Sequence, residues 1–246
     1  MKPKLLPDFE WFESEEYQLL YQHRDEKEAK YFITGLLTKI SLDKNARILD
    51  LGCGRGRHSI FMNSLGFEVT GLDAGSKNIE NARKYSNEKL DFYQHDIRNI
   101  FRINYFHLVV SLFTSFGYYS SDFENKKIIR AAFNAIQTGG YFVLDFMNNN
   151  RILKNLVAEE NKNINGMGFQ IKKNVTNDFL LKEITCRKNN VEKKFWEQVR
   201  LYSHEELINM LASIHFKIIE ICGDYNFNPF IENQSERLIL IAKKNV

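Results

Sequence analysis

The stretch that most constrains this chain is residues 46 to 59, ARILDLGCGRGRHS. Apolar residues run into Gly52, Gly54 and Gly56 and then into helix-forming residues, so a strand feeds a tight loop and the loop opens a helix. Glycines at that spacing let a ligand approach the backbone closely and aim the free N–H groups of a helix N-terminus at it. Several ligand classes use such a loop. A dinucleotide fingerprint would place its last glycine where this chain has Arg57, and a phosphate-cradling P-loop needs a GK[ST] that is absent. Asp50 narrows the field further, because a carboxylate where the strand enters the loop repels a pyrophosphate and suits a cation or a hydrogen-bond donor.

Downstream, strand-like and helix-like segments alternate: FEVTGLD, SKNIENARKYS, LDFYQHD, FHLVVSLF, ENKKIIRAAFNAIQ and GGYFVLDFM. That rhythm predicts a parallel sheet with helices on both faces. Ser121 with Glu124 reads as a capping box, and Gly139 with Gly140 as the close of the helix it starts. Asp73 lies 23 residues after Asp50, at the end of the second strand, where a carboxylate can accept both hydroxyls of a ribose. Asp96 ends the third strand, and with Ile97 it offers an acceptor for an adenine amino group and an apolar surface for the ring. Three acids in register describe a nucleoside site without a phosphate.

ILDLGCGRG, GLDAG and HDI resemble the first three motifs of class I S-adenosylmethionine-dependent methyltransferases, a likeness that covers residues 30 to 147 and the terminal strands. It implies an α/β fold with a Rossmann-like, seven-stranded mixed sheet. It also implies that Gly52, Gly54 and Gly56 lie against the methionine and ribose parts, that Asp73 holds the ribose, and that Asp96 and Ile97 meet the adenine. Ala74 follows Asp73 in the same motif, and Leu112, Phe113 and Thr114 would line the methyl side. Arg57 and Arg24 compete for the cofactor carboxylate, and Cys53 is a small residue in a crowded loop. WFESEEYQLLYQHRDEKEA, GRGRHS, SLFTSFGYY and GDYNFNPFIENQSERLILIAKK resemble a bacterial group of these enzymes that carries an inserted antiparallel sheet and acts on small molecules. His107 and Thr138 depart from that group's usual Asp and Pro, away from the expected ligand contacts.

The domain plan that follows has an N-terminal helical cover over residues 1–45, a cofactor-binding core over 46–150, an inserted antiparallel β subdomain over 151–202, and a helix and strands over 203–246 that complete the core sheet. In the cover, apolar residues from Leu20 to Ile40 recur at helical spacing and predict one or two helices. In the insertion, charged and apolar segments from about residue 165 predict three strands with turns at TND and KNN. Ser203 and Glu206 cap the helix SHEELINMLASI, and FKIIEIC pairs with ERLILIAKK as a hairpin.

Composition limits the partners. The 246 residues carry a formal charge of only +3, against a polyanion-binding surface over the whole chain. Residues 151–200 hold 11 Lys and Arg against 6 Asp and Glu, so that segment is a solvated face, a cover that selects an anionic substrate, or an RNA contact. The separated Cys53, Cys186 and Cys222, with no signal-like or membrane-length apolar run, fit a reduced cytoplasmic protein, in which the sequons at Asn174 and Asn233 are accidental.

The expected reaction is methyl transfer from S-adenosylmethionine, leaving S-adenosylhomocysteine, to N, O or S of a small-molecule acceptor. In-line transfer needs orientation above all, and a base only where the nucleophile arrives protonated. Candidate catalytic residues are Tyr21, Thr114, Tyr118 and Asp145, with Tyr17, Tyr119 and Asn148 behind them. A catechol-type metal site needs an acid after the fourth strand, where Leu112 to Thr114 offer none, so no metal is expected. An RNA methyltransferase and a non-catalytic S-adenosylmethionine-binding protein are the alternatives. The lack of an NPPY-type motif or an added recognition domain weighs against nucleic acid.

Overall fold

A computed structural model describes residues 8–245, so the first seven residues of the expected cover lie outside the described residues. The chain begins with helices α1 (Phe9–Glu13), α2 (Glu15–Leu20) and α3 (Glu26–Lys39), more than the sequence reading allowed. Capping side chains divide them: the Ser14 hydroxyl accepts from Tyr17 N–H, and the Asp25 carboxylate from the N–H groups of Lys27 and Glu28. In α3, Ala29, Phe32, Ile33 and Leu36 form one buried stripe.

The core follows as β1 (Arg47–Leu51), α4 (Arg57–Ser64), β2 (Glu68–Asp73), α5 (Ser76–Ala82), β3 (Leu90–Gln94), β4 (Phe106–Ser111), α6 (Asp122–Ala135) and β5 (Ile136–Met147). After α7 (Asn149–Lys154) comes a separate sheet of β6 (Glu159–Ile164), β7 (Met167–Thr176), β8 (Phe179–Lys188) and β9 (Val191–Arg200). The chain then returns through α8 (His204–Ala212), β10 (Phe216–Cys222) and β11 (Arg237–Lys244).

The main sheet has seven strands in the order β10-β11-β5-β4-β1-β2-β3. Strands β1 to β5 are parallel, and β11 runs antiparallel between β5 and β10. Strand order reverses between β4 and β1, and in such sheets the crevice beyond the C-terminal strand ends at that reversal is where ligands bind. Two apolar cores fill the faces of the sheet, one around Phe32, Met62 and Phe92 and the other around Phe116, Phe142 and Phe146.

Several expectations need correction. The inserted sheet has four strands, because charged Glu159–Ile164 pairs in full with β7. Helix α6 ends at Ala135 and runs directly into β5, so Gly139 and Gly140 lie within the strand, beside a register shift opposite β4. Ser121 caps α6 through Phe123 N–H alone, because Glu124 is drawn to Arg98 and Lys127. Among the described residues, no helix is long and apolar enough to cross a membrane.

Candidate active site

The site grows from the loop between β1 and α4. Gly52 and Gly54 take left-handed backbone angles, φ +74° and +57°. A Cβ at Gly52 would come within 2.6 Å of Ser115, so packing against the β4 loop demands the glycine there. At Gly54 a Cβ would meet nothing within 4 Å, because that backbone faces open space. Gly56 is the N-cap of α4.

That space is a cavity of about 260 Å³, walled by Asp50, Gly52, Cys53, Gly54, Asp73, Ala74, Ile97, Leu112 and Phe113 on the sheet side. Asp73 is fixed by the loop it faces, its two carboxylate oxygens accepting from Gly54 N–H at 2.9 Å and Gly75 N–H at 2.8 Å. Burial raises its pKa, against the pull of those N–H groups and of Asn78. Asp50 accepts from the Ser59 hydroxyl at 2.6 Å. Burial pushes its carboxyl up to about 6; the Ser59 bond opposes this and the negative Asp73 adds to it. Burial also drives the Cys53 thiol well above its usual range, so Cys53 is an unreactive wall residue. Neighbouring His58, buried beside the Arg57 guanidinium, is held down to about 3 and is neutral.

Arg24 and Arg57 come together, both guanidiniums stacking on the Phe113 ring, at 4.5 and 5.0 Å from its centroid. Arg57 donates to the Arg24 carbonyl, and Glu28 pairs with Arg24 at 2.8 Å and with Arg57 at 3.8 Å. Three buried polar atoms on cavity residues have no partner among the described residues: Arg24 Nε, Arg55 Nε and Asn78 Oδ1. Buried polar groups are rarely left unpaired, so donors and an acceptor orphaned around one cavity fit a polar ligand.

Asp96, expected beside the adenine, has a protein partner. Arg98 grips both of its carboxylate oxygens, overcoming burial to hold it below the usual carboxylate range, and Asp96 does not line the cavity, although its neighbour Ile97 does. Phe113 N–H, the Tyr225 hydroxyl and Arg237 Nε donate to Asp145, which also lies outside the lining. Asn148 caps α7 and donates to the carbonyls of Glu232 and Ser235, away from the cavity.

Helices α1 and α2 form a strap over the cavity and contribute Phe9, Phe12, Tyr17 and Gln18, with Tyr21 at the C-cap of α2. The strap is pinned to the core by Glu13, which accepts from Lys77 N–H at the start of α5 at 2.7 Å, and by the Glu15–Arg55 ion pair at 2.6 Å. It is pinned to the inserted sheet by the fully buried Trp11, whose ring N–H donates to Glu197 at 3.1 Å. Glu197 also accepts from the Tyr21 hydroxyl at 3.2 Å and pairs with Lys182. Burial disfavours the charged Lys182, yet Glu197 and Tyr21 outweigh it, so its pKa is raised.

Tyr21, Thr114 and Tyr118 all line the cavity, as do Tyr17 and Tyr119. Burial pushes Tyr21 and Tyr119 up to about 12 and raises Tyr17 and Tyr118 as well, so each keeps its proton at neutral pH. Thr114 Oγ1 accepts from Arg237 at 2.9 Å. Sequence reasoning missed Arg55, His58, Asn78, Ser115 and the strap residues Phe9, Phe12 and Gln18. Arg55 and His58 stood in the glycine motif itself, whereas Asn78 sits in a helix with no motif to mark it.

Residues 42–205, two thirds of the chain, match the family model described as the methyltransferase domain. The chain belongs to that family. This methyltransferase is 26% identical over 218 residues to the Bacillus subtilis (strain 168) protein YqeM, which carries a methyltransferase name; the match spans 83% of this chain and 87% of YqeM. An S-adenosylmethionine-dependent methyltransferase from Clostridium acetobutylicum shares its fold with a TM-score of 0.79 at 21% identity, over 92% of this chain and 94% of the other. An amino pentose methyltransferase from Micromonospora echinaspora, solved with S-adenosylmethionine bound, does so with a TM-score of 0.67 at 17% identity, over 94% and 97%. The seven-stranded mixed sheet and the enzyme class read from the motifs, an S-adenosylmethionine-dependent methyltransferase, are thereby upheld.

Proposed function

We propose that the methyltransferase holds S-adenosylmethionine across the glycine loop and transfers its methyl group to the amine nitrogen of a small molecule. The orphaned polar atoms support the cofactor pose. Arg24 and Arg57 would take the carboxylate, Asp50 the ammonium, Asp73 the ribose hydroxyls, and Ala74 and Ile97 the adenine ring. Asp73 retains lone pairs for the ribose beyond those given to Gly54 and Gly75. When bound, the cofactor supplies an activated methyl on a sulfonium.

The observation that carries the acceptor class is the absence of an available base on the strap side, among the described residues. The titratable groups there are protonated tyrosines, Glu197 is committed to Lys182, Trp11 and Tyr21, and Asp145 lies outside the lining, occupied by Phe113, Tyr225 and Arg237. The nucleophile must therefore be reactive without first giving up a proton, as a neutral amine is and an alcohol, a weak nucleophile until deprotonated, is not. As nitrogen attacks, the N–C bond forms while the C–S bond breaks, and the positive charge passes from sulfur to nitrogen. The rings of Phe12, Tyr17 and Tyr118 suit that travelling cation. The amino pentose methyltransferase of like fold is consistent with an amine acceptor. RNA is disfavoured, because the basic residues of the insertion are held in ion pairs except Lys154, Lys172 and Lys188.

Calorimetry with S-adenosylmethionine and S-adenosylhomocysteine tests the cofactor site: wild type binds both, and Asp73→Ala weakens both about 100-fold, as expected when a charge-assisted acceptor is lost. Undiminished binding by Asp73→Ala would sink the pose. Labelled methyl transfer to metabolite amines, alongside the matching alcohols and bulk tRNA, tests the acceptor. Transfer to alcohols or tRNA in preference to amines defeats the amine reading.

A further inference from the structure

The buried pair of Asp145 and Arg237 lies beneath the loop after β4 and remains unused by the chemistry above. Asp145 is in β5 and Arg237 opens β11; their antiparallel register places them diagonally, with Arg237 opposite Met147 and Asp145 opposite Ile239. That diagonal is within reach of long side chains on one face, and Arg237 Nε meets Asp145 Oδ1 at 2.8 Å. Above the pair, Phe113 and Thr114 are consecutive non-glycine residues with left-handed backbone, φ 55° and 60°. Each such residue costs roughly 1–2 kcal/mol, so the turn persists only if its surroundings hold it. They do: Phe113 N–H donates to Asp145 Oδ2 at 2.8 Å, Thr114 N–H to the Asp145 carbonyl at 3.0 Å, and Arg237 to Thr114 Oγ1 at 2.9 Å. The Tyr225 hydroxyl braces the same carboxylate at 3.0 Å. What the strained turn presents to the cavity is the Phe113 ring, on which Arg24 and Arg57 stack.

We propose that Asp145 and Arg237 are positioning residues for carboxylate recognition: by fixing the left-handed Phe113–Thr114 turn they hold the ring that aims Arg24 and Arg57 at the amino-acid end of the cofactor. The inference rests on the cofactor pose given above. Neither Asp145 nor Arg237 touches the ligand, so their effect reaches it through Phe113. Loosening the turn releases the arginines toward Glu28, their competing partner. A ligand without the carboxylate is then nearly indifferent to the change.

The test measures dissociation constants for S-adenosylhomocysteine and for its decarboxylated analogue in wild type, Asp145→Asn and Phe113→Leu. The preference for S-adenosylhomocysteine over the analogue is expected to fall about tenfold in both variants, the size of a lost desolvated cation–π contact. An unchanged preference overturns the proposal, even where both ligands weaken together, since that pattern marks general damage to the fold. Should Asp145→Asn fail to fold, Arg237→Lys, which keeps the charge beside Asp145 and loses the reach to Thr114, is measured in the same way, and an unchanged preference there overturns the proposal. Failure of wild type to bind either ligand removes the cofactor pose itself, an outcome distinct from binding without the selective loss.

Discussion

The two sides of the cavity are built by different means. On the cofactor side, Gly54, Asp73 and Gly75 hold one another through backbone N–H groups between segments close in sequence, at the ends of adjacent parallel strands. On the strap side, Trp11 and Tyr21 meet Glu197 and Lys182 across separations of 186, 176 and 161 residues, by side chains alone. A site made of backbone tolerates little change in position and binds a constant ligand. One made of side chains from a strap and an inserted sheet can be altered without disturbing the strand ends.

Breaking the strap side alone gives the largest expected effect. Glu197→Ala strands the largely covered Lys182 ammonium and removes the acceptor from Trp11 and Tyr21, and it should cost about 3 kcal/mol in denaturant unfolding. Replacing both partners, Lys182→Met with Glu197→Leu, should restore most of that stability. Affinity of the folded fraction for S-adenosylhomocysteine should stay near wild type throughout; a parallel loss would show that the two sides are not separable.

Asp50 gives the next effect, on the cofactor side. Its folded pKa is raised to about 6 from 3.8, so the folded state binds the extra proton and stability falls as pH rises through that window. His58 has the opposite sign: depressed to about 3 from 6.5, it stays neutral while the unfolded chain takes up a proton, and stability falls as pH drops below about 6.5. Between about 4 and 6 the two slopes oppose each other. Asp50→Asn should thus raise the stability of the ligand-free protein at pH 7 by roughly 1–3 kcal/mol and expose the acid-side decline due to His58. Thermal melts across pH 4 to 8 check both, and the same variant should bind S-adenosylmethionine more weakly.

Gly54→Ala should cost roughly 1 kcal/mol of stability from its left-handed backbone. Its methyl group projects into the open space, so affinity for S-adenosylhomocysteine should fall as well, which calorimetry would register. The smallest effect is expected for Lys172→Ala and Lys188→Ala on the inserted sheet, within about 0.5 kcal/mol in stability and without change in methyl transfer. A marked loss of RNA binding in these variants would revive a nucleic-acid role for that face.

The sequence alone determined the sheet, the strand-end position of the glycine loop, and the acids Asp50 and Asp73, because each depends on local spacing: alternating periodicity, a turn that only glycine fits, and a carboxylate at the end of a strand. The same logic did not foresee the partners of Asp96, Asp145 and Asn148. Their spacing was as readable, but their partners, Arg98, Arg237 and the 232–235 segment, are brought to them only by folding. Whether a carboxylate can serve a ligand depends on how many donors already occupy its oxygens, and no spacing records that. Tertiary structure likewise decided that Arg24 and Arg57 share one ring, that four charged strands rather than three form the inserted sheet, and that Trp11 is locked to Glu197. Such contacts join residues far apart in the chain, and their free energy comes from burial and desolvation that exist only once the sheets, helices and strap have packed.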